Sequence, residues 1–305
     1  MAAQRPFWVP RRNTSDRYAG NRRLPFDLYR SNVVGTAIRR TSVRQSRSRG
    51  PEAETKMQPT GNRLLDLLAP SQLERLRPHL TPEPLPLNRT LQPRGKPVES
   101  VYFPTSGMIS IVAMMRDGAA VEVGIAGCEG MLGVQALLGD DNSLNEAMVQ
   151  IPGSALGMSA GVLRQEMQES TQLRQVMLKY VQLALNTATQ SAACNRAHLL
   201  EQRLARWLLT ARDRSGSDRL PLTHEFIAMM LGVRRAGVTV AAQSLQSAGL
   251  IEYAHGRITV VDREGLEAAT CECYEVVRRE HARLFGAGDE SAPTRTLEYE
   301  NQPRV

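Results

Sequence analysis

"LGVRRAGVTVAAQSL", residues 231–245, is a poor helix by composition. It holds Gly232 and Gly237, the β-branched run Val238–Thr239–Val240, and two adjacent arginines, Arg234 and Arg235, just after the first glycine. The flanks resolve it. In "PLTHEFIAMMLGVRR", Thr223 stands where a helix N-cap is needed, and Ile227, Met230 and Leu231 give the following turns an apolar face. Gly232 then falls where a tight turn needs a left-handed residue. A second helix follows, with Val238, Ala241 and Leu245 turned inward. Ala228, Gly232 and Val238 thus supply a small residue at a helix crossing, a glycine in the turn and a buried apolar residue in the second helix. That is the steric signature of a helix-turn-helix. In that motif the head of the second helix enters the major groove, where arginine can bond guanine bidentately. Gly237 costs on the order of 1 kcal/mol of helix propensity, which implies a close approach of the backbone to DNA or to the first helix.

Downstream, "GLIEYAHGRITVVD" alternates around His255–Gly256 and reads as a β-hairpin, a wing that points Arg257 at phosphates. The predicted DNA-facing set is Thr223, His224, Arg234, Arg235, Thr239, Gln243, His255 and Arg257. His224 and His255 read as surface turn residues rather than catalysts. The bland alternative is an ordinary two-helix core with a hairpin.

Outward from this core the character changes twice. Residues 82–158 hold short alternating segments, "SVYFPTSG", "MISIVAMM" and "AAVEVGIAG", separated by Gly, Pro, Asp and Asn, as in an all-β barrel or roll. Before them, "NRLLDLLAPSQLERLRPHL" gives an apolar turn at Leu64–Leu68 and a helix opened by Pro70. After them, residues 160–214 carry a glycine near the start and no proline. Leu173, Val176, Met177, Tyr180, Leu183, Ala184 and Thr187 fall at helical spacing, a stripe on a helix of about 25 residues. A long helix beside a small roll suggests a symmetric partner, so this stripe is the predicted homodimer interface.

The net charge of +7 is misleading, because residues 1–56 carry 12 Arg and 1 Lys against 2 Asp and 2 Glu. The rest is slightly acidic, so any nucleic-acid surface must be a local patch within about one Debye length, ~8 Å. Residues 1–56 read as a disordered basic extension. The favoured reading makes Met57 the natural start; a DNA-gripping arm and an organelle transit peptide are the alternatives. No run of about 18 apolar residues occurs, so no membrane span is expected. Cys128, Cys194, Cys271 and Cys273 form no disulfide framework, which favours a reducing cytoplasm. No metal site is assigned. Cys271-x-Cys273 with a distant His281 is a weak ligand set, and Cys128 and Cys194 read as small buried hydrophobes. No catalytic motif appears, and no enzyme is expected.

The order roll, long helix, winged helix resembles the Crp/Fnr family of bacterial transcription regulators. "VYFPTSGMISIV" is similar to the family's roll, "NRAHLLEQRLARWLL" to its linking helix and "LTHEFIAMMLGVRR" to its helix-turn-helix. The resemblance implies an α+β chain. Residues 57–172 would form a jelly-roll-like sensor, 173–196 a dimerisation helix, 197–275 a winged helix-turn-helix and 276–305 a tail. It also implies a dimer acting on double-stranded DNA and, with it, RNA polymerase. The effector pocket it implies is Glu129, Gly130, Gly133, Gln135, Asn145 and Glu146. This sequence departs from the family at both ends. Where members carry Arg-Glu and a further Arg on the recognition helix, it has Arg235, Ala236 and Val240. Where cyclic-nucleotide binders carry Gly-Glu and Arg-Ser, it has Gly133–Val134 and Asn145–Glu146. A cyclic phosphate would lack its arginine, so no cofactor is expected. The alternative function is a ligand sensor or interaction module that has lost specific DNA binding.

Overall fold

The computed structural model describes residues 58–116, 118–139 and 142–286. The expectations for residues 1–56 lie outside them. Helix α1 (Pro70–Leu76) starts on a proline, whose missing N–H costs nothing at that position. It buries Leu73 and Leu76 together with Leu64 and Leu65. The roll follows as β1 (Thr81–Leu85), β2 (Thr90–Gln92), β3 (Ser100–Met114), β4 (Ala120–Ala126) and β5 (Glu146–Ser159). Its antiparallel order is β1-β5-β3-β4, with β2 also on β5. "SVYFPTSG" and "MISIVAMM" prove to be one strand, not two. Register shifts around Ser106 and Met108 let β3 bend at "TSG" without ending.

Helix α2 (Ala160–Glu169) is separated from α3 (Thr171–Ala197) by Ser170, whose hydroxyl accepts from Leu173 N at 3.1 Å and caps α3. The stripe on α3 is real, but its partner is the chain's own roll. Leu173, Met177, Tyr180 and Leu183 are all buried in one core with Phe103, Met131 and Leu163. Tyr180 donates its hydroxyl to Met131 O at 3.0 Å. Its ring lies on Gly130, where a Cβ would come within 2.2 Å of it. Val176 packs at the edge of that core, Ala184 and Thr187 are half-buried, and Thr187 donates to Leu183 O at 2.8 Å. Of the predicted dimer residues, Leu173, Met177, Tyr180 and Leu183 are therefore intradomain core, with Val176, Ala184 and Thr187 beside it. An apolar period shows that a face is buried, not against what. The opposite face leaves Leu178 and Leu185 exposed, at 45% and 63%.

At His198–Leu199 the backbone turns extended and α3 gives way to α4 (Leu200–Ser215). Then come β6 (Arg219–Leu220), α5 (His224–Leu231), α6 (Arg235–Ser247), β7 (Ile251–Ala254), β8 (Arg257–Val260), α7 (Arg263–Ala268) and α8 (Cys273–Phe285). Strands β6-β8-β7 form the small sheet of the winged unit. Leu204, Leu208, Ile227, Val238, Leu245, Ile251 and Ile258 fill its core. Residues 276–285 are no tail. Helix α8 packs along α3, puts Leu284 into the roll's core, and has Glu280 accept from Asn186 Nδ2 at 2.7 Å.

The winged unit is joined to the roll through α4. Trp207 Nε1 donates to Glu122 Oε1 at 2.7 Å, and Ser110 Oγ donates to Glu122 Oε2 at 2.7 Å. Arg214 donates to Ile125 O at 2.7 Å and pairs with Glu129 at 3.0 Å. Burial pushes the Glu122 carboxyl up from its ordinary 4.5 to about 7, against the pull of its two hydrogen bonds. Below pH 4.5 the carboxyl is protonated in both folded and unfolded chains. Between about 4.5 and 7 the unfolded chain releases the proton first, so stability falls as pH rises, and above 7 the full cost remains. Glu122→Gln, which can bond to both partners, is expected to flatten that decline. It should raise stability at pH 8 by about 1–3 kcal/mol in urea titrations. An unchanged pH profile would contradict the assignment.

Candidate nucleic-acid interface

The helix-turn-helix forms as its local chemistry dictates. Thr223 Oγ1 accepts from Phe226 N at 3.2 Å and caps α5. Gly232 closes α5 in the left-handed region at φ 63°, which a side chain adopts only with strain. Ala228, Ile227, Met230 and Leu231 are buried beneath, as are Val238, Ala241 and Leu245 of α6. The hairpin turns at His255 (φ 51°) and Gly256 (φ 73°), a pair of left-handed residues of the type I′ kind. The tip of this wing comes down beside the α5 cap, since a Cβ on Gly256 would lie 3.4 Å from Thr223 Cγ2.

The outward face of α6 carries Arg235, Ala236, Val240 and Gln243, all exposed, with Arg234 at its N-cap. The Arg235 side chain is 69% exposed, and its one ion pair is a loose 3.8 Å contact with exposed Glu225, which contributes little. His255 and Arg257 are exposed on the wing. Two members of the predicted set do not face outward. His224 is buried, its ring stacked on Tyr253 with centroids 4.0 Å apart. Its Nδ1 lies 3.1 Å from Thr239 Oγ1, and that hydroxyl donates to Arg235 O at 3.2 Å. The imidazole is thus left to donate from Nδ1. Burial and the nearby Arg235 charge hold its pKa below the ordinary value. His224 and Thr239 form a strut between α5, α6 and the wing, and do not present themselves to a ligand. A polar residue at a helix start reads as exposed only while no aromatic ring covers it.

Gly237 also finds a partner that the sequence did not suggest. A Cβ there would sit 3.0 Å from Leu200 Cδ2, so the close approach is to α4. Arg203, on the apolar face of the same helix, is buried and donates to Leu231 O at 2.6 Å, satisfying a carbonyl that the end of α5 leaves open. Its only trace in the sequence was an arginine one turn on from Leu200, beside Leu204 and Trp207.

The second candidate set gathers in part. Glu129, Gly133, Gln135 and Asn145 line one cleft of about 1510 Å³, whose walls also include Glu122, Tyr180, Trp207 and Arg214. Gly130 lies behind Tyr180, and Glu146 is engaged away from the cleft by Thr90 Oγ1 at 3.5 Å. Glu129 is already committed to Arg214. Gln135 Oε1 is buried without a partner. His281, considered with Cys271 and Cys273, is packed instead against Phe285, with ring centroids 5.2 Å apart. Among the described residues no helix is long and apolar enough to cross a membrane.

A roll, a long helix and a winged helix-turn-helix with an open recognition face, with a cleft between roll and helices, define a DNA-binding regulator. Residues 82–170 match the cyclic nucleotide-binding domain and residues 202–269 the Crp-like helix-turn-helix domain. Together these cover just over half of the chain, and the chain belongs to the Crp/Fnr family of transcriptional regulators. Solved structures share the fold at low identity. FixK2 from Bradyrhizobium japonicum is 17% identical, with a TM-score of 0.55 over 63% of this chain and 98% of its own. The c-di-GMP-responsive global regulator CLP of Xanthomonas campestris is 18% identical, with a TM-score of 0.53 over 63% and 99%. A CRP/FNR-family regulator from Thermus thermophilus is 20% identical, with a TM-score of 0.51 over 64% and 98%. No curated protein matches the chain.

Proposed function

We propose that the protein is a cytoplasmic, non-enzymatic regulator that binds a two-fold DNA site as a homodimer, reads it with Arg235, and acts there with RNA polymerase. The observation that carries this reading is the recognition helix itself. Its inner face is fully buried, while Arg235 stands exposed at its first turn with only a loose ion pair to Glu225. A helix that had lost its target would have no need of that open cationic head, braced from behind by His224, Thr239 and Arg203. Arg234 precedes the helix as its extended N-cap residue, exposed at the same end, and holds the sugar-phosphate edge. Arg257 on the wing does the same. Ala236 and Val240 replace the family's usual polar readers with apolar ones, which suit thymine methyl groups. The target therefore differs from the family's common half-site.

The test is a binding series on an operator selected from random duplexes, with single-base variants, at two salt concentrations. Arg235→Ala should cost about 1–3 kcal/mol and relax choice at one base pair per half-site. Arg234→Ala and Arg257→Ala should weaken all sequences alike and lower the salt slope by about one each per half-site. Equal weakening of every variant by Arg235→Ala would reverse the assignment.

The dimer seam is the outward stripe of α3, Leu178, Val181 and Leu185, at heptad-like spacing. Leu178→Glu with Leu185→Glu is expected to give folded monomers by light scattering. A dimer that survives both changes places the interface elsewhere.

We further infer that the effector is not cyclic AMP or cyclic GMP, since Asn145 and Glu146 stand where the phosphate needs an arginine. A ligand at 100 times its dissociation constant adds about 2.7 kcal/mol. Neither nucleotide should move the melting temperature at micromolar concentration, and a clear shift would overturn the reading.

A further inference from the structure

Away from the cleft and the recognition face, three cysteines far apart in sequence meet in a small buried cluster of their own. Cys194 lies on the last turn of α3. Cys271 and Cys273 sit where α7 gives way to α8. Cys194 and Cys271 place their sulfurs 3.5 Å apart, and Cys273 Sγ lies 3.6 Å from Nδ1 of His198, the residue at the break between α3 and α4. All four of these donor atoms fall within 4.8 Å of one another. The sequence had paired Cys271 and Cys273 with His281 and set Cys194 apart as a small hydrophobe. The fold removes His281 and supplies His198.

We propose that Cys194, His198, Cys271 and Cys273 form a mononuclear site for a thiophilic divalent cation, zinc in the first instance. The geometry is the first argument. Zinc–sulfur bonds of about 2.3 Å and zinc–nitrogen bonds of about 2.0–2.1 Å, set tetrahedrally, place the donors about 3.5–3.8 Å apart. The sulfur–sulfur and sulfur–nitrogen distances already lie in or beside that range, and small side-chain rotations draw in the rest. A polynuclear iron–sulfur cluster interposes several atoms between its ligands, so this grouping is too tight for one.

The surroundings are the second argument. His198 Nε2 lies 3.1 Å from Glu272 Oε1. A carboxylate on the far nitrogen of a histidine fixes the tautomer with its lone pair on the near one, as metal-ligating histidines require. Here that lone pair falls on Nδ1, facing the sulfurs. Gln190 Nε2 donates to Cys273 Sγ at 3.0 Å, a bond that favours thiolate. The three cysteines are nearly or fully buried, while His198 is partly open to solvent and gives the ion a way in.

The third argument is position. Every ligand lies at a helix end, and the four tie the α3–α4 break to the start of α8. An ion there would fix the angle at which α4, and the winged unit behind it, leaves the long helix.

The site stands independently of the DNA reading and is tested without it. Full-length chain, purified under reducing conditions without chelator, should carry one zinc per chain by elemental analysis. Cobalt(II) titrated into the zinc-free chain should give the intense visible absorption of tetrahedral thiolate coordination. Cys273→Ser and His198→Ala should lose the metal. Glu272→Gln, which touches no donor sulfur and alters a mostly exposed side chain, should keep the fold and weaken affinity about 10–100-fold. Three outcomes would overturn the proposal. One is a folded, fully reduced chain that neither carries nor takes up zinc or cobalt. Another is a metal-free chain with Cys194 and Cys271 joined as a disulfide. The third is metal held equally by the wild type, Cys273→Ser and Glu272→Gln.

Discussion

The contact of the Tyr180 ring with Gly130 seats the long helix α3 on the roll. No side chain fits at position 130, because a Cβ would lie 2.2 Å from the ring. The hydroxyl reaches through to Met131 O, and burial pushes the phenol up to about 12, so it remains a neutral donor. A ring held on both sides fixes the rotation of α3 about its axis. That rotation sends Leu173, Met177 and Leu183 into the roll and leaves Leu178 and Leu185 outside. Replacing the glycine would expel the ring, and a helix turned by even one residue, about 100°, would exchange its inner and outer faces.

The helix-turn-helix was legible because its determinants are local. A cap, a left-handed glycine and a small residue at the crossing lie within 16 residues, and each has one steric use. The partner of α3 was not legible, since two apolar stripes share that helix and the stronger belongs to the roll. Helix α8 was hidden by its composition. Its buried face is made of Cys273, Tyr274 and Leu284 with half-buried charged neighbours, and "VVRREHARLF" reads as solvated. Strand β3 was read as two because a Thr-Ser-Gly run normally ends a strand, whereas here it bends one.

The site divides along the same line. Arg235 and Arg257 could be placed from the motif, because exposure at a helix head or hairpin tip is a local property. The inward turn of His224 depends on Tyr253, nearly 30 residues downstream on the wing. Glu122 reads as a routine strand carboxylate until Trp207 is brought across it. The Cys194–His198 pair has helical i, i+4 spacing, a sign that was present, but its partners lie 77 residues on. Long-range closure made each of these sites, and no window of sequence contains it.

The joint between the roll and the winged unit bears on how any effector must work. The turn of the helix-turn-helix rests on β4, where a Cβ on Gly232 would lie 3.4 Å from Val121 Cγ1. Glu122 to Ile125 of the same strand line the cleft, and Trp207 and Arg214 of α4 bond to them. The cleft wall and the seat of the recognition helices are therefore one strand. A ligand shifts a two-state protein only by its difference in affinity for the two states, and near-complete switching needs about 5.5 kcal/mol of it. The Glu122 carboxyl, pushed up to about 7 by desolvation, lines the cleft and bonds directly to Trp207 of α4. A ligand group that reached Glu122 and favoured one of its charge states would act on a side chain bonded directly to α4. The contacts that lead from the cleft to the recognition helices run through β4, which carries both the cleft wall and the seat of the turn.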